Sequence, residues 1–167
     1  LKAEKDRLDT AINRVKRAQQ HGSRKCPTKW KHVNDINLDM SRKTAAGIME
    51  FAAQHQVDVI VFEHLNFKGK KRGKRKQRLA LWRKREVQKI VEHKAHQLGM
   101  RIRRVNPKNT SALAYDGSGP VLRGWAAGLP TNSLCRFSNG KVYNCDLNAS
   151  YNIGARNFCL LYTSPSP

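Results

Sequence analysis

Glu63 and Asp146 are the residues whose type and place suggest chemistry. The chain carries 33 lysines and arginines against 12 aspartates and glutamates, so an acidic side chain at a strand end or helix start stands out. Glu63 closes the apolar run of residues 57–62, and Asp146 precedes Leu147-Asn148-Ala149. Phosphodiester hydrolysis by two metal ions needs carboxylates gathered in one place. They hold divalent cations about 4 Å apart, which activate water and stabilise the leaving oxygen. Magnesium prefers such hard oxygen donors. Each residue also has a plainer reading. A Glu after a strand is more often a solvated loop residue, and an Asp before a helix is more often its cap. His64, beside Glu63, can assist proton transfer, but a surface role is the commoner fate of such a histidine.

The elements that must position these residues follow from periodicity. Leu1, Leu8, Ile12 and Val15 share one helical face, so residues 1–22 read as a basic amphipathic helix that stops at Gly22. Residues 23–37, with Lys25, Pro27, Lys29, Lys31 and Asn34, read as a basic connector. Asp39 or Ser41 is expected to cap a second helix, whose apolar face is Ala45, Ile48, Met49 and Ala52. Residues 57–62 are β-branched and read as a buried strand. Residues 79–98 predict a third helix, with Val87, Ile90, Val91, Ala95 and Leu98 on one face and Gly99 as a left-handed stop. Residues 100–105 predict another strand, ended by Pro107. Residues 108–140 are rich in Gly, Ser, Asn and Pro and read as loops or a small insertion. Residues 141–145 are a weak strand, and residues 148–158 a helix. Such an order predicts an α/β domain with a site where strand ends converge.

The net charge of +21 points to a polyanionic partner, nucleic acid before an anionic membrane. The densest charge follows Glu63: Lys68, Lys70, Lys71, Arg72, Lys74, Arg75, Lys76 and Arg78. These side chains read as phosphate contacts, which give affinity and salt dependence without sequence choice. A solvated charged loop is the plain alternative. Trp82 and Trp125 can stack on bases, with packing the commoner role for a helical Trp82. No apolar run approaches the roughly 20 residues that span a bilayer, so no membrane partner is expected. Cys26, Cys135, Cys145 and Cys159 form no Cys-x-x-Cys pair. That is no disulfide framework, and a reducing cytoplasm fits best.

Both ends bear on the reading. The first helix is already under way at Leu1, so residues before it are expected. The string of residues 159–167 resembles the translation of a transposase adapter used in sequencing libraries and is set aside from fold reasoning. On that reading Cys159 is not a cysteine of the protein.

Several motifs resemble those of one family. Val59-Ile60-Val61-Phe62-Glu63-His64-Leu65 resembles the second RuvC motif of TnpB proteins, an apolar strand followed by Glu-x-Leu. Asp146-Leu147-Asn148-Ala149-Ser150-Tyr151-Asn152-Ile153 resembles their third motif, Asp-x-Asn-Ala-Ala-x-Asn-Ile. Val105-Asn106-Pro107 followed by Thr110-Ser111 is similar to the segment before the family's zinc ribbon. The resemblance covers about residues 40–158. The miniature type V CRISPR effectors share the pattern.

The resemblance implies an RNase H-like (RuvC) α/β fold, incomplete at its N-terminus, over residues 1–109 and 139–158. A degenerate zinc-ribbon-like insertion would occupy residues 110–138. TnpB proteins are RNA-guided DNA endonucleases encoded by bacterial insertion sequences. The implied activity is therefore magnesium-dependent DNA cleavage associated with transposition, in a bacterial or archaeal cytoplasm at the nucleoid. The implied partners are a guide RNA and target DNA, with base pairing supplying the specificity. Glu63 and Asp146 would be two of three carboxylates that hold Mg2+. The third, an Asp on the first strand, is expected upstream of Leu1, so these 167 residues are expected not to cut alone.

The zinc ribbon departs from the family. Its two Cys-x-x-Cys pairs suit tetrahedral thiolate coordination. Alignment puts Ala114 and Gly117 at the first pair, and Cys135 and Ser138 at the second. One thiolate cannot hold structural zinc, so the expectation is a metal-free insertion unless Cys145 or Asp116 is recruited. Two other functions compete with cleavage: a nuclease-dead guided DNA-binding protein, and a basic RNA-binding protein without a guide. Retention of both Glu63 and Asp146 argues against each.

Overall fold

The computed structural model describes residues 2–64 and 84–163. The basic run from Lys68 to Arg78, Trp82 and the predicted start of the third helix lie outside the described residues. The chain forms two compact units, one of residues 1–58 and 67–101, the other of residues 59–66 and 102–167.

The first unit is helical. Helix α1 (Lys2–Gln20), helix α2 (Pro27–Gln54) and helix α3 (Lys84–Gln97) pack with α2 touching both others. Helix α1 ends where Gly22 enters the left-handed region at φ 91°. There the N–H of Ser23 reaches the carbonyl of Ala18, and that of Gly22 the carbonyl of Gln19. Glycine pays no Cβ penalty for this closing turn. Gly99 (φ 72°) ends α3 in the same way.

Helix α2 begins at Pro27, not at the predicted Asp39 or Ser41. The lysines of residues 23–37 hide a helical stripe of Trp30, Val33, Ile36 and Met40. Val33 and Ile36 are buried in a cluster with Ala11, Val15 and Cys26, and Trp30 and Met40 pack against it. Proline at the first helical position costs nothing, because its missing N–H would have no partner there. Burial of each such apolar side chain contributes about 1.5–3 kcal/mol, enough to carry the helix through the basic residues. Asp39 lies inside the helix and pairs with Lys43 at 3.1 Å, and Ser41 donates to the carbonyl of Asn37.

The second unit is mixed. Strand β1 (Val59–Glu63) lies beside β2 (Arg101–Val105). The N–H of His64 reaches the carbonyl of Val105 at 2.7 Å, and that of Arg101 the carbonyl of Asp58 at 2.8 Å. Both partners ascend together, so the strands are parallel, and a parallel pair needs a long crossover. Every β1 residue is half-buried rather than buried as expected, because among the described residues this sheet has only two strands.

Residues 108–140 are more ordered than their composition suggests. Strands β3 (Leu122–Arg123), β4 (Leu134–Arg136) and β5 (Val142–Asn144) form an antiparallel sheet in that order. A short 3-10 turn, Gly124–Ala127, follows β3 and carries Trp125, 81% exposed. Helix α4 (Cys145–Thr163) follows β5 directly. It is longer at both ends than residues 148–158, and it contacts β1 and β5.

Candidate carboxylate site

Glu63 is the last residue of β1 and is half-buried. The backbone bond of His64 to Val105 ties the strand end to β2. The hydroxyl of Thr110 donates to Glu63 Oε1 at 2.7 Å. The same hydroxyl stands 3.1 Å from the carbonyl of Pro107. It has one proton, and the nearer, charged acceptor makes the stronger bond. Thr110 itself is only 2% exposed.

Asp146 lies in the first turn of α4, exposed to solvent. It is not the cap, because Asn144 accepts the N–H groups at the helix start. Among the described residues, no hydrogen bond or ion pair engages the Asp146 carboxylate. An anionic side chain in a first helical turn sits favourably against the helix dipole, worth about 0.3–1 kcal/mol.

Three residues of α4 spaced four apart bind the segment that follows β2. Asn148, with no exposed surface, donates to the carbonyl of Leu113 at 2.8 Å and accepts the N–H of Tyr115 at 2.9 Å. Asn152 donates to the carbonyls of Thr110 (3.0 Å) and Leu113 (2.8 Å). Arg156 donates to the carbonyls of Asn106 and Lys108. Residues four apart share a helix face, so this row holds the segment between β2 and β3 by its backbone carbonyls. The structure thus brings Glu63 and Asp146 into one unit and connects them through Thr110 and α4. Neither the Thr110 bond nor the Asn and Arg row was read from the sequence. The spacing of 148, 152 and 156 was the available signal.

The other acidic candidates belong to the first unit. Asp58 precedes β1 and is exposed, while Asp35 and Asp39 are inside α2. Among the described residues, no group of three or more His, Cys, Asp and Glu could hold a metal ion. The two carboxylates are hard oxygen donors of the kind Mg2+ takes, so the donor set fits in kind though not in number.

Near the small sheet, the positions aligned with zinc ligands do other work. Ala114 and Cys135 are buried with Phe137 and Cys145, and Tyr115, Val121 and Tyr143 pack on them. Burial, and then the hydrogen bond to Cys145, push the Cys135 thiol up to about 11. The turns that contain Gly117 and Ser138 are clasped together: Ser138 donates to the carbonyl of Ser118, and Asn139 to Asp116 at 3.1 Å. Lys141 donates to the hydroxyl of Tyr115 at 2.7 Å and lies 4.9 Å from its ring centroid and 5.0 Å from that of Tyr143. No described helix is long and apolar enough to cross a membrane.

Residues 85–153 match the TNB-domain family of Cas12f1-like proteins. A TnpB-like protein of Aquifex aeolicus (strain VF5) is 30% identical over 134 residues, which are 74% of this chain and 42% of the relative. Cas12f1, solved with single-guide RNA and target DNA, matches at a TM-score of 0.58 and 22% identity, over 85% of this chain and 40% of that one. Alicyclobacillus acidoterrestris C2c1, solved with single-guide RNA, also matches at 0.58, with 20% identity over 81% of this chain and 16% of that one. The chain therefore spans less than half the length of the relatives it matches, and the two solved structures share its α/β fold. Motifs, fold and relatives thus agree in a likeness to TnpB-like and Cas12f1-like proteins.

Proposed function

We propose that this chain is the C-terminal part of an RNA-guided, magnesium-dependent DNA endonuclease with an RNase H-like (RuvC) fold. The observation that carries the reading is that Glu63 and Asp146 belong to one compact unit, with Asn144 relieving Asp146 of the capping role. Glu63 and Asp146 would hold Mg2+, whose chemistry is to activate water and stabilise the leaving oxygen. Glu63 is held at its strand end by Thr110, and Asp146 is presented to solvent from a helix start capped by Asn144. Cas12f1 was solved with single-guide RNA and target DNA, and the same partners suit a chain with a net charge of +21. Lys68, Lys70, Lys71, Arg72, Lys74, Arg75, Lys76 and Arg78 would neutralise phosphates of the guide–target duplex.

The small sheet reads as a zinc ribbon that has lost its metal. Aromatic packing around Cys135 and the clasp between its two turns take the place of tetrahedral thiolates.

The test is cleavage and binding by the full-length protein assembled with its guide RNA and Mg2+. Glu63→Gln and Asp146→Asn should each abolish cutting while target binding persists. Cutting that survives either change would remove that residue from the metal site. Target binding by the unsubstituted protein without any cutting would favour a guided binding protein.

A further inference from the structure

We propose that Thr110 is the positioning residue for the Glu63 carboxylate, and that Asn152 of α4 fixes Thr110 in turn. The proposal deepens the metal-site reading of Glu63 and Asp146 and rests on it for its consequence, though not for its geometry.

A glutamate at a strand end has three rotatable bonds and needs a brace to hold one orientation. Thr110 supplies it, with its hydroxyl 2.7 Å from Glu63 Oε1 across 47 residues of sequence. The brace is stiff. Threonine is β-branched and restricted at its first side-chain torsion, and Thr110 is buried to 2% exposure. Its backbone is held on both sides: its N–H faces the carbonyl of Pro107, and its carbonyl accepts from Asn152 at 3.0 Å. Asn152 is six residues beyond Asp146 on α4, about 9 Å along the axis at the helical rise. The relay Glu63–Thr110–Asn152 therefore ties the strand end to the helix that carries Asp146. The motif around Asp146 thus has two tasks: Asp146 supplies a carboxylate, and Asn152 sets where the other one stands.

The test is nuclear magnetic resonance on the full chain with 13C-labelled glutamate, without metal. The Glu63 carboxyl resonance is identified by its loss in Glu63→Gln. Thr110→Val should shift it, Thr110→Ser should restore it, and Asn152→Ala should shift it without touching Glu63. In the unsubstituted chain the Thr110 hydroxyl proton should exchange slowly and show a cross-peak to the Glu63 side chain. A folded Thr110→Val chain with an unmoved resonance overturns the proposal. So does a freely exchanging Thr110 hydroxyl in the unsubstituted chain, a result that needs no variant to fold. Mn2+ titration then separates the two readings. Broadening of the Glu63 and Asp146 carboxyl resonances, with affinity several-fold weaker in Thr110→Val and recovered in Thr110→Ser, supports both. Broadening of neither, with the metal-free shifts as expected, removes the metal reading and supports the positioning role.

Discussion

The side-chain oxygen of Asn144 accepts the N–H of Asp146 at 2.9 Å and that of Leu147 at 3.1 Å. Asn144 therefore caps α4, and the Asp146 carboxylate has no part in the cap. Replacing Asn144 by Ala should cost about 1 kcal/mol, the usual worth of an N-cap, while Asn144→Asp should be tolerated. Asp146→Asn should cost less, since it removes only an exposed charge from the first turn. Equal losses in thermal or denaturant unfolding would contradict the cap assignment.

Asn148 satisfies the N–H of Tyr115 and the carbonyl of Leu113 with no exposed surface of its own. Asn148→Ala leaves the Tyr115 N–H without that partner, because Asn152 serves only the carbonyl. A buried donor left unpaired costs about 1–3 kcal/mol. The variant should be less stable by about that amount, and the Tyr115 amide should exchange faster with solvent. Unchanged exchange there would refute the assignment.

Gln56 closes α2 at φ 51°, in the left-handed position that Gly22 and Gly99 occupy in the other two helices of its unit. A side chain there costs about 1–2 kcal/mol, only part of which glycine gives back through its greater freedom when unfolded. Gln56→Gly should therefore stabilise the chain by about 0.5–1 kcal/mol. A lower melting temperature would show that the Gln56 side chain contributes something the backbone geometry does not reveal.

Phe137 is 2% exposed and packs edge-on to Tyr115, with ring centroids 5.7 Å apart. If this aromatic core replaces a metal, Phe137→Ala should destabilise the second unit by about 3–5 kcal/mol. A chelator such as EDTA should leave the melting temperature where it was. A chelator-induced fall would mean that a bound metal holds the sheet after all.

Cys135 has its thiol raised from 9.0 to about 11, chiefly by burial. The folded state keeps this proton more firmly than the unfolded state. The stability it contributes is complete below about pH 9 and is lost as pH rises toward about 11. At neutral pH an alkylating reagent should modify Cys135 far more slowly in the folded than in the unfolded chain, because the thiolate is the reactive form. Mass spectrometry of partly alkylated protein measures both rates, and early labelling of Cys135 in the folded chain would contradict its burial.

What the sequence determined by itself is the set of elements written in local signals. The β-branched run that ends at Glu63 is a strand, the run from Arg101 to Val105 is another, and Gly22 and Gly99 stop their helices as their backbone freedom allows. Asp146 stands at a helix start because the segment after it is helical in its own right. The beginning of α2 was hidden, since Lys29 and Lys31 sit among the apolar residues whose partners, Ala11 and Val15, belong to another helix. Only the tertiary structure decided how the strand end at Glu63 meets the helix of Asp146. The bond from Thr110 to Glu63 spans 47 residues and that from Asn152 to Thr110 spans 42. The spacing of 148, 152 and 156 marks a shared helix face but not its partners, because a hydrogen bond between distant residues depends on where packing brings them.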